Sequence, residues 1–99
     1  MAAKKIQFRG TLSPTLAAGA FIVTFPDLAV ITHALIGQVV YLNTADYVYQ
    51  CHINTIVGNI VTVHVLKSIL TGAAGTGTWG DAVTADVNGT LFEVIAEGI

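Results

Sequence analysis

Two histidines on neighbouring predicted strands are the residues whose type and spacing could do chemistry. Apolar and polar residues alternate through residues 47–67 on either side of a Gly-Asn turn at positions 58 and 59, which predicts a β-hairpin. A two-residue loop would pair Ile53 with His64 and mix apolar with polar residues on both faces. A three-residue loop, closed by Asn59 as a type I turn with a bulge, pairs His52 with His64 and separates the faces. We expect this second register.

The histidine pair could bind a metal ion only with help from further ligands. Directly opposed residues on antiparallel strands hold their β-carbons about 4.5–5.5 Å apart, which lets two imidazoles share a metal. A complete site would need His33 as well, or the same pair repeated around an oligomer axis. Spacing alone favours a pair of surface or interface histidines. His52 and His64 are therefore the metal candidates, but we expect neither a metal nor a cofactor.

The other chemistry-bearing residues do not predict an enzyme. Asp81 and Asp86 lie in a Gly-rich segment, while Glu93 and Glu97 lie on a terminal strand. We expect solvated turn and edge positions for these acids, because a catalytic pair would need two carboxyls across a cleft. The Gly-rich segment also lacks the spacing and the Lys-Ser/Thr ending of a phosphate-binding loop. Cys51 is the single cysteine, falls on the apolar face of its strand, and cannot form a disulfide within the chain.

Trp79, the only tryptophan, lies in a Gly-rich loop and allows two interpretations. An exposed Trp79 could stack on a sugar or anchor a partner protein. A Trp79 folded back over one end of the core would serve the fold alone, and this is the favoured interpretation.

The composition indicates a protein that assembles with copies of itself. The chain of 99 residues is enough for one domain, and 54% of it is hydrophobic while only 10% is charged, against about 25% charged in an ordinary soluble domain. Residues 28–45 and 47–66 carry no charge, but Asn, Gln, Thr, His and many β-branched residues argue against membrane-spanning helices. The net charge of −2 argues against nucleic-acid binding. We therefore expect the apolar excess to be buried in a homo-oligomer.

The pattern along the chain predicts an all-β fold, an antiparallel β-sandwich or jelly-roll-like barrel of six to eight short strands within a single domain, residues 1–99. Residues 1–9 could instead be an N-terminal arm, and residues 28–35 could be irregular, strand or one or two helical turns, with irregular or strand structure favoured. A long connection with little regular structure is expected at residues 68–89. The expected strands are residues 5–12, 20–25, 37–42, the two arms of the hairpin, and 90–96.

The chain also resembles a known class of proteins. Residues 18–28 (AGAFIVTFPDL), 58–67 (GNIVTVHVLK) and 79–98 (WGDAVTADVNGTLFEVIAEG) are similar in style to small virion proteins of tailed bacteriophages, namely capsid decoration (cement) proteins and tail or fibre subunits. They also resemble the trimeric β-sandwiches of fibre tips and of H-type-lectin-like modules. The resemblance implies a structural decoration protein that stabilises the capsid, with a tail or fibre module that recognises host or glycan through the Trp79 loop as the alternative.

The resemblance further implies where the protein acts and what it contacts. It would be made in the host cytoplasm, since residues 1–10 contain no readable signal peptide, and would be located in the virion, on the capsid surface or the tail. Its partners would be itself, as a homotrimer, and phage capsid or tail proteins, without nucleic acid or membrane. The expected interface residues are Ile6, Phe8, Phe21, Val23, Phe25 and Trp79.

Overall fold

The computed structural model describes residues 4–40, 47–69 and 79–99, and the described chain is almost entirely β-structure. A short 3₁₀ helix, Thr84–Val87, is the one helical segment within these ranges. The all-β class predicted from the alternation is confirmed. The strands are β1 (Lys5–Leu12), β2 (Ala20–Thr24), β3 (Ile31–Val40), β4 (Tyr47–Val57), β5 (Ile60–Ile69), β6 (Gly80–Asp81) and β7 (Leu91–Gly98).

The strands form two antiparallel sheets that pack as a sandwich. The three-stranded sheet has the order β1-β7-β3, so the carboxy-terminal strand is central and the amino-terminal strand is at one edge. The four-stranded sheet has the order β2-β5-β4, and β6 pairs with β5 on the same sheet. Each sheet therefore has its central strand covered on both sides by hydrogen-bonded neighbours.

The core lies between the two sheets, and every second residue of the central strands β5 and β7 points into it. Phe92 and Val94 of β7 and Val61 and Val63 of β5 are completely buried. The ring of Phe21 on β2 lies 5.0 Å from that of Phe92, tilted by 56°, and joins the two sheets. Burying a side chain of this size stabilises the fold by about 1.5–3 kcal/mol.

The hairpin β4–β5 has the predicted register but a different turn. His52 pairs with His64 and Ile53 with Val63, as expected, whereas Val57 pairs directly with Ile60 across a two-residue loop. The three-residue loop was wrong. Gly58 takes the positive φ of 60°, as the first residue of a type II′ turn does, and Asn59 does not.

A β-bulge at Asn54 explains how the predicted pairing of His52 with His64 coexists with a loop that is one residue shorter than predicted. The register shifts between Ile53 and Thr55, which leaves Asn54 without an opposite residue on β5. Asn59 has another use, because its side-chain amide donates to the carbonyl of Phe25 at 3.2 Å, while the Phe25 N–H donates to the Asn59 carbonyl at 2.9 Å. The turn is thus tied to the end of β2.

The strand β3 replaces two elements that were expected to be separate. It runs without interruption from Ile31 to Val40, pairing with β7 throughout, and its register shifts twice. One shift inserts Thr32, and the other sets Gly37 and Gln38 against the single residue Glu93. These bulges break the alternation in the sequence, so one strand looked like an ambiguous segment followed by a shorter strand. Residues 41 and 42 of the expected strand lie outside the described residues.

Two further expectations concern the ends of the chain's elements. Residues 5–9, which could have been an arm, belong to β1 and pair with β7. The connection expected at residues 68–89, with little regular structure at its centre, contains regular elements towards both ends, since β5 extends to Ile69 and β6 and the 3₁₀ helix follow. Residues 70–78 of that segment lie outside the described residues. In the described part of the chain, no helix has the length and apolar character needed to cross a membrane.

Candidate functional site

The outer face of the three-stranded sheet is an apolar surface that the described residues leave uncovered. The pairing sets one apolar row across the sheet, with Phe8 opposite Ile95 and Ile95 opposite Leu35. Ile6, Phe8 and Leu12 on β1 are each more than 60% exposed, although they alternate regularly with polar residues. We call this surface the outer face; its apolar members are Ile6, Phe8, Leu12, Leu35, Val40, Leu91 and Ile95.

Charged side chains lie along the central strand of the outer face. Glu93 and Glu97 alternate with Ile95 on β7, and Lys4 Nζ lies 3.6 Å from Glu97 Oε1. The Glu93 carboxylate lies over Gly37, because a β-carbon built there would be only 2.8 Å from Glu93 Oε1. The outer face therefore carries an apolar row flanked by two carboxylates.

A shallow depression marks one end of the outer face. It is lined by Ile6, His33, Ala34, Leu35, Ile95 and Glu97. In this register His33 pairs with Glu97, which in turn pairs with Ile6, so the three strands meet here side by side. A partner surface with a protruding apolar side chain would fit this end of the sheet.

The histidine pair lies on the other side of the sandwich, on the outer surface of the four-stranded sheet. The His52 and His64 rings are 5.3 Å apart between centroids and are tilted by 59°. His64 Nε2 lies 2.7 Å from Asp81 Oδ1, which the pairing of β6 with β5 brings alongside. Gly19 completes this cluster, since a β-carbon there would lie 2.8 Å from Asp81 Cβ and 3.0 Å from His64 Nε2.

The metal-binding interpretation gains no third ligand from His33. That side chain lies on β3, on the outer face of the other sheet, across the sandwich from His52 and His64. Among the residues that the structure describes, no group of three or more His, Cys, Asp and Glu side chains could hold a metal ion. The contact that His64 makes is a hydrogen bond or ion pair with Asp81.

A second polar cluster connects the 3₁₀ helix to the inner surface of the four-stranded sheet. Lys67 Nζ lies 2.8 Å from Asp86 Oδ2 and 4.6 Å from the centre of the Tyr47 ring. The Asp86 carboxylate also accepts hydrogen bonds from the Val83 N–H at 2.8 Å and the Tyr49 hydroxyl at 3.3 Å. Burial by itself raises the pKa of Asp86, but the Lys67 hydrogen bond, the Val83 N–H and the Lys67 charge outweigh burial and lower it.

This second cluster was not predicted, although the sequence contained a signal for it. Asp86 was expected to be a solvated loop residue, and that expectation was wrong because its side chain is only 13% exposed. The alternation that buries Val61, Val63 and Val65 continues to Lys67 and sets the ammonium on the inner surface of the sheet. A cation in that position needs an acceptor, which only the returning chain supplies.

The residues expected at an interface fall into two groups. Ile6 and Phe8 lie on the outer face and are exposed. Phe21, Val23 and Phe25 lie in the core between the sheets, where they contact β5 and β7 and not the surface. Trp79 stands apart from both groups, directly before β6, with 44% of its surface exposed.

Comparison with known proteins gives no family, no curated protein and no solved structure that matches this chain.

Proposed function

We propose that the chain is a structural protein that assembles with copies of itself through the outer face of the three-stranded sheet. The observation that carries the proposal is the exposure of Ile6, Phe8 and Leu12 beside Ile95 and Leu35. Three strands spaced about 4.8 Å apart and eight residues of about 3.4 Å give this face roughly 400 Å² in plan. The face, which also contains the two carboxylates, is comparable in size to the largest apolar patch of an ordinary monomer, and such patches are often functional.

The particle to which such a protein belongs is proposed from its resemblance to virion proteins. A decoration protein of a tailed-phage capsid must form stable contacts with many identical neighbours, and a low-charge β-sandwich with one apolar face suits that task. The trimer that the resemblance implies would bring three outer faces together around an axis. Phage capsid proteins would be the further partners.

The self-assembly is tested by the native mass of two matched variants. Ile6 and Ile22 are the same residue type with the same exposure, 64% and 63%, but Ile6 lies on the outer face and Ile22 on the other sheet. Light scattering over a hundred-fold range of concentration should show Ile6→Ser dissociating while Ile22→Ser keeps the wild-type mass. A wild-type chain that remains a folded monomer throughout this range would refute self-assembly.

The place in the particle is tested separately with purified virions. Heads and tails of the phage that encodes this chain should be separated on a density gradient and analysed by mass spectrometry. The decoration proposal predicts the chain on heads, in a number that matches the capsid lattice. Its presence on tails alone, or its absence from particles, would contradict that proposal without affecting the self-assembly result.

A second candidate function, recognition of a host glycan, is favoured by Trp79. The exposure of its indole ring, 44%, leaves a flat apolar surface of the kind on which sugars stack. Titration with host surface glycans should change the fluorescence of this single tryptophan if it binds them. Fluorescence that stays constant while the glycan binds elsewhere on the particle would exclude Trp79 as the contact.

A further inference from the structure

The four edges of the two sheets are not equally protected against pairing with another chain. The edge strand β3 contains two bulges, and β4 contains one. The edge strand β2 has only five residues. Bulges and short strands are two of the means by which β-proteins prevent edge-to-edge association; charged side chains, such as Lys5 and Arg9 on β1, are another.

The strand β1 contains no bulge and is longer than β2. It pairs with β7 over eight consecutive residues, Lys5 to Leu12, without a register shift, and it is the last strand in the order of its sheet. No strand among the described residues pairs with its other edge, which therefore presents regular backbone donors and acceptors next to the exposed side chains of Ile6 and Phe8. We infer that a second copy of this chain pairs with β1 at this edge, antiparallel and about a two-fold axis, with Phe8 opposite Phe8 of the second copy. This inference rests on the proposed self-assembly and adds a second contact to it, at the edge of β1.

The register follows first from the two faces of the strand. Directly opposed residues on antiparallel strands point to the same side of the sheet. Ile6 and Phe8 must therefore oppose residues of the outer face and not Gln7 or Arg9, since a slip of one residue would mix apolar with polar side chains. This condition leaves only the registers in which a residue on β1 opposes itself.

The charges on β1 then select one of these registers. Setting Gln7 opposite Gln7 would place Lys5 against Arg9 of the second copy, and setting Arg9 opposite Arg9 would oppose two cations directly. Setting Phe8 opposite Phe8 places Arg9 against Gln7 and Lys5 against Thr11, so no like charges meet. It also keeps seven of the strand's residues, 5–11, paired, which is more than the registers further along the strand allow.

The backbone of Asp27 lies beside Gln7, the residue that Arg9 of the second copy would oppose. The Asp27 N–H donates to Gln7 Oε1 at 3.2 Å, which fixes Asp27 beside Gln7. Within the described residues, neither Arg9 nor Asp27 is part of an ion pair. In the two-fold arrangement Arg9 of each copy meets Gln7 and Asp27 of the other copy. The cation and the acid are therefore paired twice, once on each side of the axis. The charge pattern of this edge is thus self-complementary.

The paired copies would share one continuous sheet of the order β3-β7-β1-β1-β7-β3. Both outer faces would then lie on the same side and form one apolar surface of twice the area, which further copies or a capsid could cover. The two-fold contact uses the edge of β1, whereas the trimer proposed above would use the outer face, so the two contacts do not compete.

Disulfide trapping tests the register, in a Cys51→Ala background so that no native thiol competes. Phe8→Cys should give a disulfide-linked dimer on mild oxidation, because directly opposed α-carbons lie about 4.5–5.5 Å apart. Ile6→Cys alone should not, since it would lie four residues, about 13 Å, from its own equivalent. Ile6→Cys mixed with Gly10→Cys should give the linked heterodimer, and Gly10 tolerates a side chain because its β-carbon would meet Leu91 Cδ1 at an ordinary 3.6 Å.

Charge reversal tests the same contact without removing an apolar side chain. Arg9→Glu should weaken self-association at least about ten-fold, because the two-fold repeats the contact, and Asp27→Arg in the same chain should restore it. Lys5→Glu, which faces a threonine, is the matched control and should have little effect. An oligomer that forms no Phe8→Cys disulfide and ignores Arg9→Glu would overturn this inference and leave the proposed function standing. A wild-type monomer would overturn both.

Discussion

Replacing Asp86 by Asn should destabilise the protein at neutral pH by an amount that the structure allows one to work out. The carboxylate bonds to Lys67, to the Val83 N–H and to the Tyr49 hydroxyl, and its side chain is only 13% exposed. The amide keeps the size of the side chain but removes its charge. The ammonium of Lys67, itself 23% exposed, would lose the negative charge that it faces and keep at most the amide oxygen of the introduced asparagine and the face of the Tyr47 ring.

The magnitude lies between that of a surface pair and that of a buried one. Hydrogen bonds to charged groups contribute about 1.5–3 kcal/mol each, and breaking a fully buried ion pair costs about 3–5 kcal/mol. Because this pair is only partly buried, we expect Asp86→Asn to lower the free energy of unfolding by about 2–3 kcal/mol. For a domain of this size, 1 kcal/mol corresponds to about 4–8 °C, so the Tm should fall by about 8–24 °C.

The loss of stability caused by Asp86→Asn should become smaller as the pH falls. The pKa of Asp86 is lowered in the folded protein from its ordinary value of 3.8. A carboxyl with a lowered pKa contributes stability that is fully present above the unfolded value and is lost as the pH falls through the folded one. The difference in Tm between the wild type and Asp86→Asn should therefore be largest near pH 7 and should shrink below about pH 4.

Thermal unfolding followed by circular dichroism between pH 7 and pH 3 provides the assay. Asp81→Asn is the matched control, because Asp81 is 52% exposed and its contact with His64 should be worth less than about 1 kcal/mol. Two results would refute the reasoning. In the first, Asp86→Asn unfolds at the same temperature as Asp81→Asn. In the second, the difference in Tm between the wild type and Asp86→Asn stays constant across the whole pH range.

Three further substitutions test the backbone and the core. Gly58→Ala should cost about 1–2 kcal/mol, because φ is +60° there, while Gly80→Ala, which also meets open space but has no positive φ, should be nearly neutral in urea unfolding. Phe92→Ala should cost about 3–5 kcal/mol in the same measurement, since its ring is completely buried between the sheets. Gly19→Ala should displace Asp81 from His64, and the imidazole resonances of His64 in an NMR spectrum should shift if it does.

The alternation of apolar and polar residues alone was enough to predict the strands that have one buried and one solvent-exposed face. Phe92, Val94 and Ala96 share one face of the strand expected at residues 90–96, and all three are completely buried. The pairing of His52 with His64 also followed from the pattern, because a slip of one residue would have turned valines to water. Where the alternation was interrupted, at Gly37 and Gln38, the prediction failed, since a bulge and a strand end look alike in a sequence.

The polar contacts of Asp81 and Asp86 were less predictable than the fold, because their partners lie far away along the chain. Asp81 reaches His64, and Asp86 reaches Lys67, across 17 and 19 residues of chain. Nothing in their neighbours along the sequence distinguishes these two acids from solvated ones. Their partners are set by how the chain returns to β5, which depends on the packing of β6 and the 3₁₀ helix.

The sequence by itself determined that this is a β-protein with more apolar surface than one small core can hold, because composition and period are local properties of the chain. Only the tertiary structure decided which apolar side chains are core and which are available to a partner. Phe8 and Phe21 are both phenylalanines in strands whose apolar and polar residues alternate. Phe21 is nevertheless buried between the sheets, whereas Phe8 faces outward. The difference arises because a strand has two faces, and only the packing of the second sheet determines which of them is covered.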